Sequence, residues 1–517
     1  MGGTREAAVG YHARGREGGH RMRPQVWIVA AALGAWGCSE EASVGVTSRA
    51  DAAATPDAVV DAAARDAEPD GAREPADAAP PPACAPRVPR SGGSAIAERP
   101  ARCGQPEFAW LDDERLGEVT AAEPVRDFTA ARLDEYVRSI GLEPPKPATH
   151  DVRLWRIVYR SQDRGVSVEA SALVAAPVVE PGGEPLEVIL YLHNALGFDD
   201  RCPPTGLEED GTPTGFVITA AQWAGQGRLV VMPDLLGIKS LGEPGTVAHP
   251  FLVGQASALV ALDGVRALNH LPDAARGDTG CPSARFLAYG PAHGGHAALW
   301  VDRLAPHYAA ELRMVGAVGT AVPLDLRAEA QAVLSGERPE NGLGGMFLAL
   351  AGLWYGRADA VDGLYAEAPD DWLATVRDSC DFNATRALLA GQATLSPEAA
   401  TALAEGDGAA PWACIADENG LVATSVARLP TPEGYGILLI YGDGDDTTLV
   451  DASIQQGAVE TLCAQGMPIR GHVCAGEGQW LAGFRALRLI DRFIDDRFAD
   501  RPLTGNCGLP GAVSCGP

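Results

Sequence analysis

Residues 289–300 of this chain read YGPAHGGHAALW, and they contain the spacing of a reactive turn. Gly290-Pro291-Ala292-His293-Gly294 fits Gly-x-nucleophile-x-Gly, after a strand-like run (ARFLAYG) and before a helix-like one (HAALWVDRLAPHY). In that context a serine at the middle position projects its hydroxyl for acyl transfer. The reaction needs an activated hydroxyl, a base to take its proton, an acid to orient the base, and N–H donors for the oxyanion. Here the middle position is Ala292, whose methyl group cannot attack a carbonyl. The glycine frame is present and the reactive oxygen is missing.

Other side chains in the region offer different chemistry. His293 and His296 are spaced i, i+3 at the helix start, and could hold a water-activating metal if Asp234 or Asp445 supplied a third ligand. The plainer alternative is a pair of packed helix histidines. Ser257 and Thr320 are candidate displaced nucleophiles, but no motif surrounds either of them.

The elements around the turn read as strands alternating with helices. A helix is expected at 129–142, followed by two period-two strands, HDVRLWRIVYRS and VSVEASALVAAP. The runs LEVILYLHN (186–194) and RLVVMPD (228–234) are continuously apolar and end at polar residues, the pattern of parallel strands buried on both faces. RMVGAVGTAVP (313–323) and GYGILLIYGDGDD (434–446) read as further buried strands. MPIRGHVCAG (467–476) is a further strand, and WLAGFRALRLIDRFIDDRFA closes the pattern as a helix. The expected architecture is α/β, a mostly parallel sheet with helices on both faces. Residues 325–432 break the rhythm with helical segments and read as an inserted cap between core parts 101–324 and 433–500, with a cysteine-containing tail at 501–517.

The 517 residues carry 41 Lys+Arg against 68 Asp+Glu, a net charge of −27, which repels nucleic acid and argues against binding it. Met22 to Cys38, MRPQVWIVAAALGAWGC, has a basic start and an apolar run too short to span a bilayer, so it reads as an export signal. Its end resembles a bacterial lipoprotein cleavage box, which implies lipidation of Cys38 and attachment to the cell envelope. Ser39 is compatible with an outer-membrane or cell-surface destination. An ordinary secretory signal with an incidental cysteine is the alternative. Residues 1–21 read as an extension upstream of the better start at Met22. Residues 39–100, rich in Ala, Asp and Pro, bury too little apolar surface to offset ordering and read as a flexible tether. Setting Cys38 aside leaves ten of eleven cysteines, an even number suited to disulfides in an exported chain. Proximity in sequence suggests Cys202–Cys281, Cys380–Cys414 and Cys507–Cys515, with Cys84, Cys103, Cys463 and Cys474 left to pair.

Six stretches in order, including VYRSQDRGVSVEASALVAAP, YLHNALGFDDRCPPT, LVVMPDLLGIKSLG and YGDGDDTTLVDASIQ, make residues 150–500 resemble an α/β-hydrolase of the secreted-lipase family, which includes capped fungal and bacterial extracellular lipases. The resemblance implies action on carboxylic esters without a cofactor. It places the nucleophile on Ala292 and the acid on Asp445, with Asp446 one step away. It places the base on Gln479, which cannot take a proton at neutral pH, while His472 lies within a strand. The oxyanion donors implied are the backbone N–H groups of His293 and of Asn194 or Ala195, Asn194 standing where the family usually has glycine.

Two of three triad members are thus replaced. The first reading is a non-catalytic surface lipoprotein that binds a lipid, an ester or a partner under its cap. The second is an ester hydrolase using other residues or a metal, and the third a structural envelope protein. An open apolar cavity lined by cap residues such as Met346, Phe347, Leu348 and Trp354 would favour a ligand, and a filled one a scaffold.

Overall fold

The computed structural model describes residues 84, 87–90 and 96–515, apart from 140–142, 181, 207–212, 246, 277–278, 340, 407–409, 445–449 and 451. Cys38, Asp445 and Asp446 lie outside the described residues.

Nine strands form one sheet: β1 (Val119–Phe128), β2 (Val152–Asp163), β3 (Val166–Pro177), β4 (Leu186–Tyr191), β5 (Leu229–Pro233), β6 (Pro282–Pro291), β7 (Arg313–Thr320), β8 (Gly436–Gly442) and β9 (Ile469–Cys474). Their order is β9-β8-β7-β6-β4-β5-β3-β2-β1. From β9 to β5 all neighbours run parallel, and β5, β3, β2 and β1 pair antiparallel. The continuously apolar runs are the parallel strands, and β5 and β8 are buried along their whole length. A strand covered by helices on both faces has no solvent side on which to place polar residues.

Helices α1 (Ala130–Ser139) and α2 (Gly215–Gly225) cover one face, with α3 (Gly254–Ala267) and α4 (His293–Tyr308) on the other. Helix α3 lies so close to α4 that a Cβ on Gly254 would sit 2.1 Å from the Trp300 ring. Between β7 and β8 the chain carries α5 (Leu326–Leu334), α6 (Leu343–Trp354), α7 (Phe382–Gln392), α8 (Pro397–Glu405) and α9 (Trp412–Asn419). The Asp325, Asp381 and Ser396 side chains cap the first turns of α5, α7 and α8 by accepting from backbone N–H groups. Helix α10 (Ala452–Ala464) follows β8, while α11 (Gln479–Arg485) and α12 (Leu487–Phe498) return to the face of α1 and α2.

Three expected disulfides are corrected. The ten cysteines pair as Cys84–Cys281, Cys103–Cys414, Cys202–Cys380, Cys463–Cys507 and Cys474–Cys515. Cys202 therefore joins Cys380 and not Cys281, Cys414 joins Cys103 and not Cys380, and Cys507 and Cys515 go to separate partners. Partners lie up to 311 residues apart because the parallel sheet collects loops that are distant in sequence. Cys202–Cys380 and Cys103–Cys414 each tie the inserted segment to the core side of the chain.

Some residues assigned by composition to the tether contact the body. Ordered contacts begin by Cys84, whose partner Cys281 precedes β6. The Arg87 guanidinium donates to Asn269 Oδ1 (2.9 Å) and the Pro282 carbonyl (2.8 Å). Ala97 joins the core, and Glu98–Arg99 pairs antiparallel with Phe108–Ala109. The tether composition ends in a staple that composition does not reveal.

Replacing both Cys84 and Cys281 by alanine is expected to lower the unfolding free energy by about 2–4 kcal/mol. Chemical denaturation reads this as a lower midpoint. An unchanged midpoint would mean that residues 84–99 merely drape over the body.

Candidate functional site

The site is built where β6 turns into α4. Ala292 has φ 46° and ψ −108°, a left-handed conformation that L-residues rarely adopt. Its N–H donates to the Thr320 carbonyl (2.7 Å) and its carbonyl accepts from the His296 N–H (2.9 Å). The glycines let the turn close: a Cβ on Gly290 would lie 2.2 Å from the Gly294 carbonyl carbon, and one on Gly294 would lie 1.9 Å from the Leu192 carbonyl oxygen. The geometry of a nucleophile turn is therefore complete around a methyl group.

Ala292 forms part of the floor of an apolar cavity of about 950 Å³. Asn194, Phe251 and Ala321 line it from the core, and Leu343, Phe347 and Leu348 from the cap. Of the four cap residues expected there, Phe347 and Leu348 line the cavity. Met346 is fully buried in the core, and the Trp354 indole donates to Asp163 Oδ1 (2.9 Å). Among the oxyanion candidates, His293 and Asn194 are brought together on the cavity wall, because the close approach of Gly294 to Leu192 sets their backbones side by side. Ala195 is buried just beyond, in the core.

Gln479 opens α11 and is 3% exposed. Its Oε1 accepts from the Gly442 N–H (3.1 Å), and its Nε2 donates to the carbonyls of Gly442 (3.0 Å) and Val450 (3.4 Å). The side-chain amide thus pairs with a backbone peptide as a second peptide would. It clasps both ends of the loop that carries Asp445. A neutral imidazole carries its one donor and one acceptor on separate edges and cannot offer both side by side to Gly442, so Gln479 has a structural task of its own. His472 stays on β9, half-buried, its Nε2 3.0 Å from Cys515 Sγ.

Four of the ten histidines cluster near the turn, three of them in ring contact. The His293 ring, 2% exposed, lies 5.2 Å from His249, 6.5 Å from His193 and 5.0 Å from Phe251, and neither of its nitrogens has a hydrogen-bond partner. His193 faces the Asn194 and Asp234 carbonyls, His249 Nδ1 the Leu236 carbonyl, and His296 Nε2 the Asn419 carbonyl. Burial pushes all four imidazoles down, His249 and His296 to about 4, so they stand neutral. Sequence reasoning missed His193 and His249. The only signal was a histidine in each of the loops YLHN and VAHPFL.

Asp234 does not complete a metal site with His293 and His296. The Asp234 carboxylate is occupied by Ser171, Ser240 and Thr205 hydroxyls at 2.6, 2.6 and 2.7 Å, and His296 turns to Asn419. Among the described residues the cluster with ligand-like spacing is His472, Cys474 and Cys515, whose two sulfurs are joined in a disulfide. Neither displaced nucleophile is activated. Ser257 Oγ is buried without a partner, and Thr320 faces away from the cap cavity, into a cleft on the other side of the turn.

Comparison with known proteins fits this geometry. Residues 216–380 match the model of the secretory lipase family. A 180-residue stretch is 30% identical to Lipase 7 of Candida albicans, spanning 33% of this chain and 38% of that relative. The fold is similar to that of a rice cell wall degrading esterase, LipA, from Xanthomonas oryzae (TM-score 0.56, 17% identity, 74% of this chain and 99% of that one). It is also similar to Candida antarctica lipase A in its closed state (TM-score 0.54, 18% identity, 78% and 86%).

Two outcomes follow. Ala292→Gly relieves the left-handed backbone and is expected to leave stability unchanged or raise it by about 1 kcal/mol; a clear loss on thermal denaturation would mean the turn is not strained. The buried histidines also make stability depend on pH. Below their ordinary value of 6.5 the unfolded chain takes up protons that the folded chain refuses until about pH 4. Stability is therefore complete above pH 6.5 and falls as pH drops toward 4. Denaturation midpoints at pH 7 and pH 5, where carboxylates remain mostly ionised, should show the decline, and a flat profile would contradict it.

Proposed function

We propose that this chain is a lipase-like α/β-hydrolase that holds an acyl ligand, a lipid or an ester, without cleaving it. The observation that carries the reading is Ala292, set at an intact turn and facing an open apolar cavity under the cap. Removing the nucleophile or the base from a serine triad costs up to about 10⁶ in turnover. Binding and the oxyanion donors alone leave about 10³-fold acceleration over water. Here both positions are substituted, and Gln479 is committed to the Gly442 peptide. The cavity that binds the acyl group does not depend on either residue. Its apolar walls suit a hydrocarbon chain.

An open cavity favours this reading over a scaffold whose core would be filled. The five disulfides and the secretory lipase match are consistent with an exported protein. Lipidation of Cys38 and tethering at the envelope complete the proposal: a ligand-holding body presented on a flexible stalk.

The test is hydrolysis of a short-to-long p-nitrophenyl ester series by the native protein and by the Ala292→Ser/Gln479→His double variant, beside binding of a long-chain alkyl ether that cannot be cleaved. The native protein is expected to bind the ether and release no p-nitrophenol above buffer, while the double variant gains turnover. Robust native turnover would overturn the reading, and so would failure to bind the ether.

A further inference from the structure

A second concavity abuts the same turn from the opposite side. Successive residues divide the two: Pro291, Thr320 and Leu196 line this cleft, whereas Ala292, Ala321 and Asn194 line the cap cavity. The cleft lies between α2 and the α11–α12 corner and encloses about 1120 Å³, its open mouth included.

Its walls differ in kind from those of the cap cavity. There the apolar lining is mainly aliphatic; here six rings converge, from Tyr191, Phe216, Trp223, Tyr289, Trp480 and Phe484. Tyr191 and Tyr289 stack at 5.4 Å, and Trp223 meets Tyr289 edge-on at 4.9 Å and Tyr191 at 5.5 Å, forming a fixed inner wall. Trp480 and Phe484, one turn apart on α11 and 5.4 Å from each other, are half-buried at the mouth. Rings held in this way offer both faces and edges to another ring, and aromatic pairs gain beyond the area they bury.

The polar groups narrow the ligand further. The Tyr289 residue is 6% exposed, and its phenol has no hydrogen-bond partner among the described residues; burial alone pushes its ionisation up. Gln222 Nε2 is buried on the cleft wall without a partner. An amide N–H held dry and unpaired costs about 1–3 kcal/mol, which a ligand oxygen accepting from Gln222 would recover. No charged side chain lines the cleft among the described residues, so an ion would enter uncompensated.

We infer that this cleft is a second ligand site, distinct from the acyl cavity, that takes a neutral flat aromatic molecule bearing a hydroxyl or carbonyl oxygen. The rings stack on it from the inner wall and the mouth, and Tyr289 and Gln222 hydrogen-bond its oxygen. The inference stands on its own residues, whether or not the cap cavity holds an acyl chain.

Equilibrium dialysis of the full chain against 2-naphthol, with naphthalene as the partner lacking oxygen, tests it. Both probes should bind saturably. Tyr289→Phe keeps the ring and should weaken 2-naphthol about fivefold, the scale of one hydrogen bond, while leaving naphthalene unchanged. Trp480→Ala, at the half-exposed mouth, should weaken both. Excess of a long-chain alkyl ether should leave 2-naphthol bound. Absence of saturable binding, equal response of both probes to Tyr289→Phe, or displacement by the ether would each overturn the inference.

Discussion

The Leu192 carbonyl lies where a Cβ on Gly294 would be 1.9 Å away, and much of the site follows from that approach. To bring α4 so close to the end of β4, the chain must leave β6 through a left-handed residue, and it does so at Ala292. The same approach sets the backbones of His293 and Asn194 side by side on the cavity wall. It also places Pro291 and Ala292 as a thin partition between two cavities. A single steric requirement thus underlies the turn and the separation of the two concavities. None of these depends on a reactive side chain, which is why the frame persists around an alanine.

What replaced the reactive groups is informative in itself. Alanine in a left-handed conformation carries strain without the reactive hydroxyl that a serine would gain from it. Gln479 did not become an inert surface residue. Its amide matches a peptide in donor and acceptor, and it closes the loop between β8 and α10 where a histidine would have faced that loop as a base. Four buried histidines near the turn stand neutral and so add no charge there.

The cap is held by covalent and non-covalent ties together. Cys202–Cys380 joins the loop after β4 to the start of α7, where Phe382 N–H donates to the Leu196 carbonyl and the Phe382 ring meets Phe198 and Phe251. Cys103–Cys414 does the same for α9, beside the pairing of Arg99 and Arg102 with Glu418. Both disulfides thus tie the segment over the cavity to the core.

Much of this was legible in the linear chain. Continuous apolar runs named the parallel strands, because a strand buried on both faces has no polar side. The glycine frame named the turn, because only glycine tolerates such approaches. The cysteine count gave an even ten but no partners. Pairing, the histidine cluster and the aromatic cleft were decided by tertiary structure. A parallel sheet gathers loops from strands hundreds of residues apart along one edge, so Cys103 meets Cys414 and His249 meets His293 through the crossover order, a property that no local pattern encodes. The six rings of the cleft come from four separate segments, each of which reads in isolation as ordinary core. Local residue types set what each segment can be; the order of strands in the sheet sets what they become together.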